Sequence, residues 1–384
     1  MSQYQFFATC PRGLEALLVD ELSKQQAHKI TATDGGVSFE GNLETMYRVN
    51  LHSRIATRIL SLVSHGNYLT EEDIYKATFK LNWPSWFKVS QTIRVKVTGV
   101  KCPLKSLDFV TLRIKDAVCD RFREEGALRP SVSVRDPDVR IHAYLTQNQY
   151  QLYLDTSGAP LYQRGFRDVS VIAPLRENLA AGIIMLSNWK PGTPFLDPMC
   201  GSGTFLIEAA MMAVNQPPGL KRTFGFQHLK FFDESLWKKI TTEALQHMKP
   251  IQFLEIFGSD IDLRAVRVAR HNLKVAGLEE VAKVMQSDFI KLEPPASEGV
   301  LVTNPPYGQR IGEDEDLKEV YPVWAKHMKA SFGGWDTYFL TADLEMPKDM
   351  RLKPSKKTPL FNGALECRLF EIKMVSGSNR KPKD

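Results

Sequence analysis

The sequence contains no Cys-x-x-Cys pair, and its five cysteines, Cys10, Cys102, Cys119, Cys200 and Cys367, are scattered and odd in number. That argues against both a disulfide framework and a zinc site. No apolar run approaches the roughly 18 residues of a membrane span. The stretch from Met1 to Pro11 lacks the basic-then-apolar pattern of a secretory signal. The chain is therefore expected in the cytoplasm, with no membrane, no metal and no obligate protein partner. Excess charge is also scarce: 50 Lys and Arg against 44 Asp and Glu leave +6, which alone says little about a polyanionic partner. There is no internal repeat. At 384 residues the chain exceeds what one hydrophobic core usually serves, so two or three domains are expected.

Residues 1–65 alternate short strands and helices. Residues 4–9 read as a strand, and Leu14, Leu17, Leu18 and Leu22 stand at helical spacing within 13–25. A strand over 36–39 is entered through the turn Asp34-Gly35-Gly36, followed by a helix over 43–51 and an apolar strand over 55–63. Residues 66–156 form a second region. Thr70-Glu71-Glu72-Asp73 reads as a capped helix start, 93–97 as a half-exposed strand, and 107–123 as a helix. Residues 139–154 read as a hairpin turning at Gln147-Asn148, and the turn-rich stretch 155–160 as the linker into a third region, 157–375. There strands and long helices alternate, as in a doubly wound α/β sheet. Its clearest βαβ unit joins Phe195-Leu196, a helix over 205–214 and a strand over 255–258, and is interrupted by a basic, aromatic insertion over 215–251. The polar tail 376–384 is expected to be disordered.

Asp197-Pro198-Met199-Cys200-Gly201-Ser202-Gly203-Thr204 follows the first of these strands and opens the helix. Gly201 and Gly203 permit a tight turn with backbone against a ligand, at the strand end where open α/β sheets bind ligands. Such a turn alone is a weak signal. Two further strand ends sharpen it. Asp260 and Ile261 stand where dinucleotide folds hold ribose hydroxyls. Asp288 and Phe289 end a third strand, where an acid can accept an adenine amine and a ring can stack on the base. No Gly-Lys-Ser/Thr is present, and the turn has two glycines where the dinucleotide fingerprint has three. The pattern implies a nucleoside cofactor without a phosphate clamp.

Val300-Leu301-Val302-Thr303 reads as a buried strand, followed directly by Asn304-Pro305-Pro306-Tyr307-Gly308. Two prolines fix φ and remove two donors, so carbonyls can face outward as acceptors. The side-chain carbonyl of Asn304 and the backbone carbonyl of Pro305 can both accept from one amine. An exocyclic base amine is a poor nucleophile because its lone pair is delocalised into the ring. Two acceptors stabilise the positive charge that develops on it. Tyr307 supplies a stacking face worth about 1–3 kcal/mol. With S-adenosylmethionine as an already activated donor, positioning can supply much of the rate. Carbon-5 methylation of pyrimidines is excluded, since it needs a cysteine beside the base and none follows this strand. Cys200 lies in the cofactor turn, and its thiol is expected to pack.

These residues carry a resemblance to Rossmann-like class I methyltransferases acting on exocyclic amines. Over nearly the whole chain the sequence resembles the bacterial large-subunit (23S) ribosomal RNA guanine-N2 methyltransferases that carry a THUMP domain. Further matching stretches are Thr9-Cys10-Pro11-Arg12-Gly13-Leu14-Glu15, Leu154-Asp155-Thr156-Ser157-Gly158, Arg164-Gly165-Phe166-Arg167, Ala173-Pro174-Leu175-Arg176-Glu177-Asn178 and Leu360-Phe361-Asn362-Gly363-Ala364-Leu365-Glu366-Cys367-Arg368-Leu369. The resemblance implies an α/β fold: a ferredoxin-like subdomain over 1–65, a THUMP RNA-binding domain over 66–156, and a methyltransferase domain over 157–375 with a seven-stranded, mostly parallel sheet. It implies S-adenosylmethionine held by Asp197, Pro198, Cys200, Gly201, Ser202, Gly203, Thr204, Asp260, Ile261, Asp288, Phe289 and Asn304. Pro174, Arg176 and Glu177 would close over the methionine end, and Asn304, Pro305, Pro306 and Tyr307 would be catalytic. Some relatives fuse a second methyltransferase domain after this one; the sequence stops before it, so a paired activity is expected to be absent.

Independently of the family, Lys76, Lys80, Lys88, Arg94, Lys96, Lys101, Lys105, Arg113, Lys115, Arg121 and Arg123 make the middle region a candidate phosphate-binding face. The insertion, with Lys221, Arg222, Phe224, Phe226, Phe231, Phe232 and Trp237, is a second candidate for substrate contact, although its aromatics suit core packing equally. The expected partner is RNA, either 23S ribosomal RNA or a large-subunit precursor. The alternatives are guanine-N2 methylation of transfer RNA, adenine-N6 methylation of nucleic acid, and an RNA-binding chaperone that does no chemistry. The absence of a recognition helix or ribbon disfavours DNA, and the intact motif at 304–307 disfavours the chaperone.

Overall fold

The computed structural model describes residues 3–126, 128–166, 175–306 and 317–375. They form two compact units that do not follow chain order. One holds the described residues up to Cys10 with Leu18–Leu161 and Arg222–Thr242; the other holds Pro11–Leu17, Tyr162–Lys221 and the described residues from Glu243 onward. Among the described residues, no helix is long and apolar enough to cross a membrane.

Through the first two sequence regions the elements are β1 (Tyr4–Thr9), α1 (Glu15–Lys24), β2 (His28–Thr33), β3 (Gly36–Gly41), α2 (Leu43–His52), β4 (Arg58–Asn67), α3 (Glu71–Phe79), α4 (Trp83–Trp86), β5 (Ile93–Gly99), α5 (Leu107–Gly126), β6 (Val139–Leu145) and β7 (Gln149–Asp155). Their strands make one seven-stranded sheet, ordered β2-β3-β1-β4-β7-β6-β5. Strand β4 pairs with β1 on one side and β7 on the other, so both regions share a continuous sheet. Thr70 and Asp73 form the reciprocal cap that their spacing implies at the start of α3. Strand β2 has no signature in the sequence, because it is an edge strand with neither face buried and so carries no alternation.

The turn at 155–160 is a buried part of this unit. Ser157 Oγ donates to Asn50 Oδ1 at 2.7 Å, and Arg222 donates to the carbonyls of Ser157, Ala159 and Pro160 at 3.0, 2.6 and 2.6 Å. The insertion's aromatics pack here too. Phe226, Phe232 and Trp237 surround Tyr47 with ring centroids 4.5, 5.9 and 5.8 Å away, while Phe224 stacks on Phe226. These rings contribute to the core of the first unit, with Phe224 and Phe226 fully buried and Phe232 and Trp237 half-buried.

The chain continues with α6 (Glu177–Leu186), β8 (Phe195–Asp197), α7 (Thr204–Ala213), α8 (Glu234–Gln246), β9 (Ile256–Asp260), α9 (Leu263–Ala276), β10 (Ala282–Gln286), β11 (Gly299–Thr303), α10 (Leu317–Ser331), β12 (Trp335–Thr341), α11 (Met346–Asp349), β13 (Lys356–Asn362) and β14 (Leu365–Lys373). The second sheet runs β10-β9-β8-β11-β12-β14-β13, with β14 antiparallel to both neighbours and the other pairs parallel. Every residue of β8 and β11 is buried, as central parallel strands require. Leu196, Leu301 and Phe339 pack there with Trp324, Phe332 and Trp335. The carboxyl ends of β8, β9, β11 and β12 therefore share one edge, and the antiparallel direction of β14 brings the turn between β13 and β14 to that edge as well.

Residues Pro11–Leu17 join this second unit. Gly13 has φ +90°, and a Cβ on it would stand 2.6 Å from the Pro359 carbonyl oxygen, so only glycine lets the segment lie against β13. Leu14 is fully buried, and the Arg12 guanidinium lies 5.7 Å over the Phe361 ring. The tail 376–384 lies outside the described residues.

Candidate active site

Strand β8 ends at Asp197, and the chain turns back over the sheet to begin α7. The turn is pinned from several directions. Cys200 N–H donates to the Ser259 carbonyl at 2.8 Å, and Ser259 Oγ donates to the Pro198 carbonyl at 3.2 Å. Asn272 Nδ2 donates to the Ser202 carbonyl at 3.1 Å. Gly203 caps α7 with φ +81°, and a Cβ there would crowd Ala269 Cβ at 3.0 Å. The side chains of Pro198, Cys200, Ser202 and Thr204 are buried in this scaffold. The sequence assigned them to the cofactor; with their side chains buried, a contact from them would come through the backbone of the turn. Burial beside Asp197 and Asp260 pushes the Cys200 thiol well above its ordinary range, so it is no nucleophile at neutral pH.

Asp197 is 2% exposed and accepts from Met199 N–H at 3.2 Å and from Thr303 Oγ1 at 3.0 Å. Burial pushes its carboxyl up to about 7, and Asp260 adds to the rise. At the end of β9, Asp260 accepts from Gly201 N–H at 2.9 Å through one oxygen and from Asp262 N–H at 3.0 Å through the other. Its carboxyl is also raised, mainly by desolvation. Two backbone donors thus fix the carboxylate's orientation. Ile261 beside it is 67% exposed, an apolar face open to a ligand.

Asp288 follows β10 and accepts from Ile290 N–H at 3.2 Å. The expectation for Phe289 needs correcting. Its ring is 3% exposed and packs against Trp324, His327 and Phe332, with centroids 6.0, 5.7 and 5.9 Å away. A ring enclosed by three others offers no face to a base. Arg176 and Glu177 begin α6; Glu177 is buried, whereas Arg176 is exposed with its guanidinium 5.1 Å over the Tyr162 ring.

One strand over, β11 ends at Thr303 and Asn304 follows. Among the described residues, Asn304 Oδ1 is buried and has no hydrogen-bond partner. Pro305 is buried and Pro306 half-buried. Tyr307 and Pro174 lie outside the described residues. Among the described residues, no group of three His, Cys, Asp or Glu side chains could hold a metal.

Sequence reasoning did not single out Thr303, Ser259 and Asn272 as supports of the site. Asn272 left a signal: it is a polar residue on the buried stripe of α9 with Ala265, Ala269 and Ala276. The basic face of α5 needs a second correction. Arg113 pairs with Glu72 at 2.5 Å, Lys115 with Asp116 at 2.5 Å, Arg121 with Glu125 at 2.8 Å and Arg123 with Asp120 at 2.9 Å. Its cations are neutralised locally. Exposed cations without a carboxylate partner among the described residues lie instead at Lys88, Arg94, Lys96, Lys101 and Lys105.

Residues 5–60 match an RlmL ferredoxin-like domain, 68–155 a THUMP domain and 164–371 an RMKL-like methyltransferase domain. The chain is 38% identical over 381 residues to the ribosomal RNA large subunit methyltransferase K/L of Shewanella sp. (strain W3-18-1), covering 98% of this chain and 54% of that protein. It thus spans about half the length of the curated relatives it matches. The crystal structure of SMU.472, assigned as a methyltransferase and solved with SAH, superposes with a TM-score of 0.88 at 32% identity, covering 98% of this chain and 100% of that one. A Listeria monocytogenes str. 4b F2365 protein assigned as an N6-adenine-specific DNA methylase superposes with a TM-score of 0.87 at 30% identity, covering 97% and 96%. The chain belongs to the RMKL-like methyltransferase family, with an RlmL ferredoxin-like domain and a THUMP domain preceding its methyltransferase domain.

Proposed function

We propose that this chain transfers a methyl group from S-adenosylmethionine to the exocyclic N2 amine of a guanine in 23S ribosomal RNA. The observation that carries the reading is the buried, unpartnered acceptor Asn304 Oδ1 at the carboxyl end of β11. Leaving such an atom unpaired costs about 1–3 kcal/mol, and an amine donor arriving with the substrate would satisfy it. Accepting from that amine, Asn304 and the Pro305 carbonyl would stabilise the charge that develops on nitrogen.

The residues present fit the cofactor. Asp260, oriented by Gly201 and Asp262, would take ribose hydroxyls. Exposed Ile261 would cover the adenine face in the role first assigned to Phe289, and Asp288 would accept the adenine amine. Asp197, near neutrality when empty, would ionise beside a cationic methionine ammonium. When bound, S-adenosylmethionine supplies a methyl group on an electrophilic sulfonium. The ring of Tyr307 would hold the base.

A THUMP domain suits an RNA substrate, and the Shewanella relative's name supports large-subunit ribosomal RNA. Such a substrate would be met in the cytoplasm. Guanine rests on the family resemblance, because the acceptor pair serves an adenine amine equally and the Listeria relative carries an adenine name. The test is nucleoside mass spectrometry of ribosomal RNA, transfer RNA and DNA from cells with and without the gene, with purified protein added back. Loss and restoration of N2-methylguanosine in 23S ribosomal RNA supports the reading. Loss confined to transfer RNA moves the substrate, and new methyladenine overturns the choice of base.

A further inference from the structure

Three stretches that are distant in sequence meet at the catalytic edge of the second unit. Arg12 lies over Phe361, and Arg176 lies over Tyr162 at 5.1 Å. Arg176 Nη2 also stands 3.1 Å from where a Cβ on Gly363 would be, so it abuts the turn between β13 and β14. Both arginines are exposed, and neither has a carboxylate partner among the described residues. The acids near these arginines are engaged or buried: Glu15 accepts from Gly13 N–H at 2.8 Å, Glu366 beside the β13–β14 turn pairs with Arg368 at 2.7 Å, and Glu177 is buried. Two exposed guanidinium groups without a carboxylate partner among the described residues, each braced on an aromatic face, are well suited to bind a phosphate.

Strand register places them relative to Asn304. Thr303 aligns with Phe339, Thr341 with Arg368, and Arg368 with Pro359. Phe361 therefore projects about two residues beyond the level of Pro305, three strand steps away, which is roughly 14 Å sideways. That distance corresponds to about four stacked nucleotides.

We propose that Arg12 and Arg176, braced on Phe361 and Tyr162, form a subsite for the phosphodiester backbone of the RNA strand flanking the methylated nucleotide. The inference rests on the reading that RNA is the substrate. A backbone contact of this kind carries no sequence information; it sets the register of the strand so that one base reaches Asn304.

The test is steady-state methyl transfer by the full chain on a large-subunit RNA transcript at several salt concentrations. Arg12→Gln is expected to raise KM for RNA at least fivefold with kcat within about twofold. Arg12→Gln is also expected to flatten log KM against log salt by about 0.7, the loss of one single-strand phosphate contact, and Arg12→Gln combined with Arg176→Gln by about 1.4. Arg12→Lys, which keeps the charge, is expected to retain the slope. An unchanged KM and slope in the double variant overturns the subsite, and so does a slope lost equally in Arg12→Lys, which would mark a packing role. Wild-type protein that methylates no RNA would overturn the underlying reading instead. Thermal unfolding of each variant with SAH verifies that the second unit is folded.

Discussion

The hydroxyl of Thr303 donates to Asp197 Oδ1 across 3.0 Å, with both side chains buried. This bond joins the last residue of β8, where the glycine turn begins, to the last residue of β11, whose successor is Asn304. Strands β8 and β11 are already paired along the sheet, and this buried hydrogen bond adds a side-chain link between the proposed cofactor and acceptor sides just beyond that pairing.

Thr303→Val removes that donor while keeping the shape. It is expected to cost about 1–3 kcal/mol, because a buried acceptor loses its partner. The hydroxyl also lowers the Asp197 carboxyl, so its loss moves that group further up. Denaturant unfolding at neutral pH measures the first effect.

Asp197 makes the empty protein pH-dependent. Its folded value of about 7 lies above the unfolded value near 4. Its contribution to stability is therefore full below about pH 4 and is lost as pH rises through about 7. An ammonium group bound beside it reverses the preference, so the affinity for SAH, which carries one, is expected to rise with pH across the same window. Titration calorimetry from pH 5.5 to 8.5 checks this, and Asp197→Asn should flatten the profile.

Asn304→Ala is expected to lower kcat for methyl transfer by about 10²–10³-fold, the scale of removing one preorganised electrostatic partner. SAH affinity should stay within twofold. Unchanged turnover would remove Asn304 from the chemistry.

Cys200→Ala is expected to keep methyl transfer within about fivefold, because a buried thiol held above its ordinary range has no thiolate to offer. Iodoacetamide at pH 8 should leave Cys200 of the folded protein unmodified by mass spectrometry. Abolished activity in this variant with intact SAH binding would point to covalent base chemistry.

The sequence by itself determined the strand ends that make the site. Glycines that permit a positive φ, prolines that remove donors, and central strands apolar on both faces are local properties, and each is legible in a few residues. What surrounds a side chain is not local. Only the tertiary structure decided that Phe289 belongs to the core while Ile261 stays open, since both are apolar residues just after an aspartate at a strand's end. It decided that Arg113 of α5 is paired, because Glu72 reaches it from α3. It also decided that the rings of the insertion serve Tyr47, and that Pro11–Leu17 pack with β13 and α6 in the second unit. A cut at residue 156 would therefore bare Phe224 and Phe226 and strip Leu14 from beside Gly182. Burial and pairing depend on residues brought together from far along the chain, and a local pattern carries no record of which partner arrives.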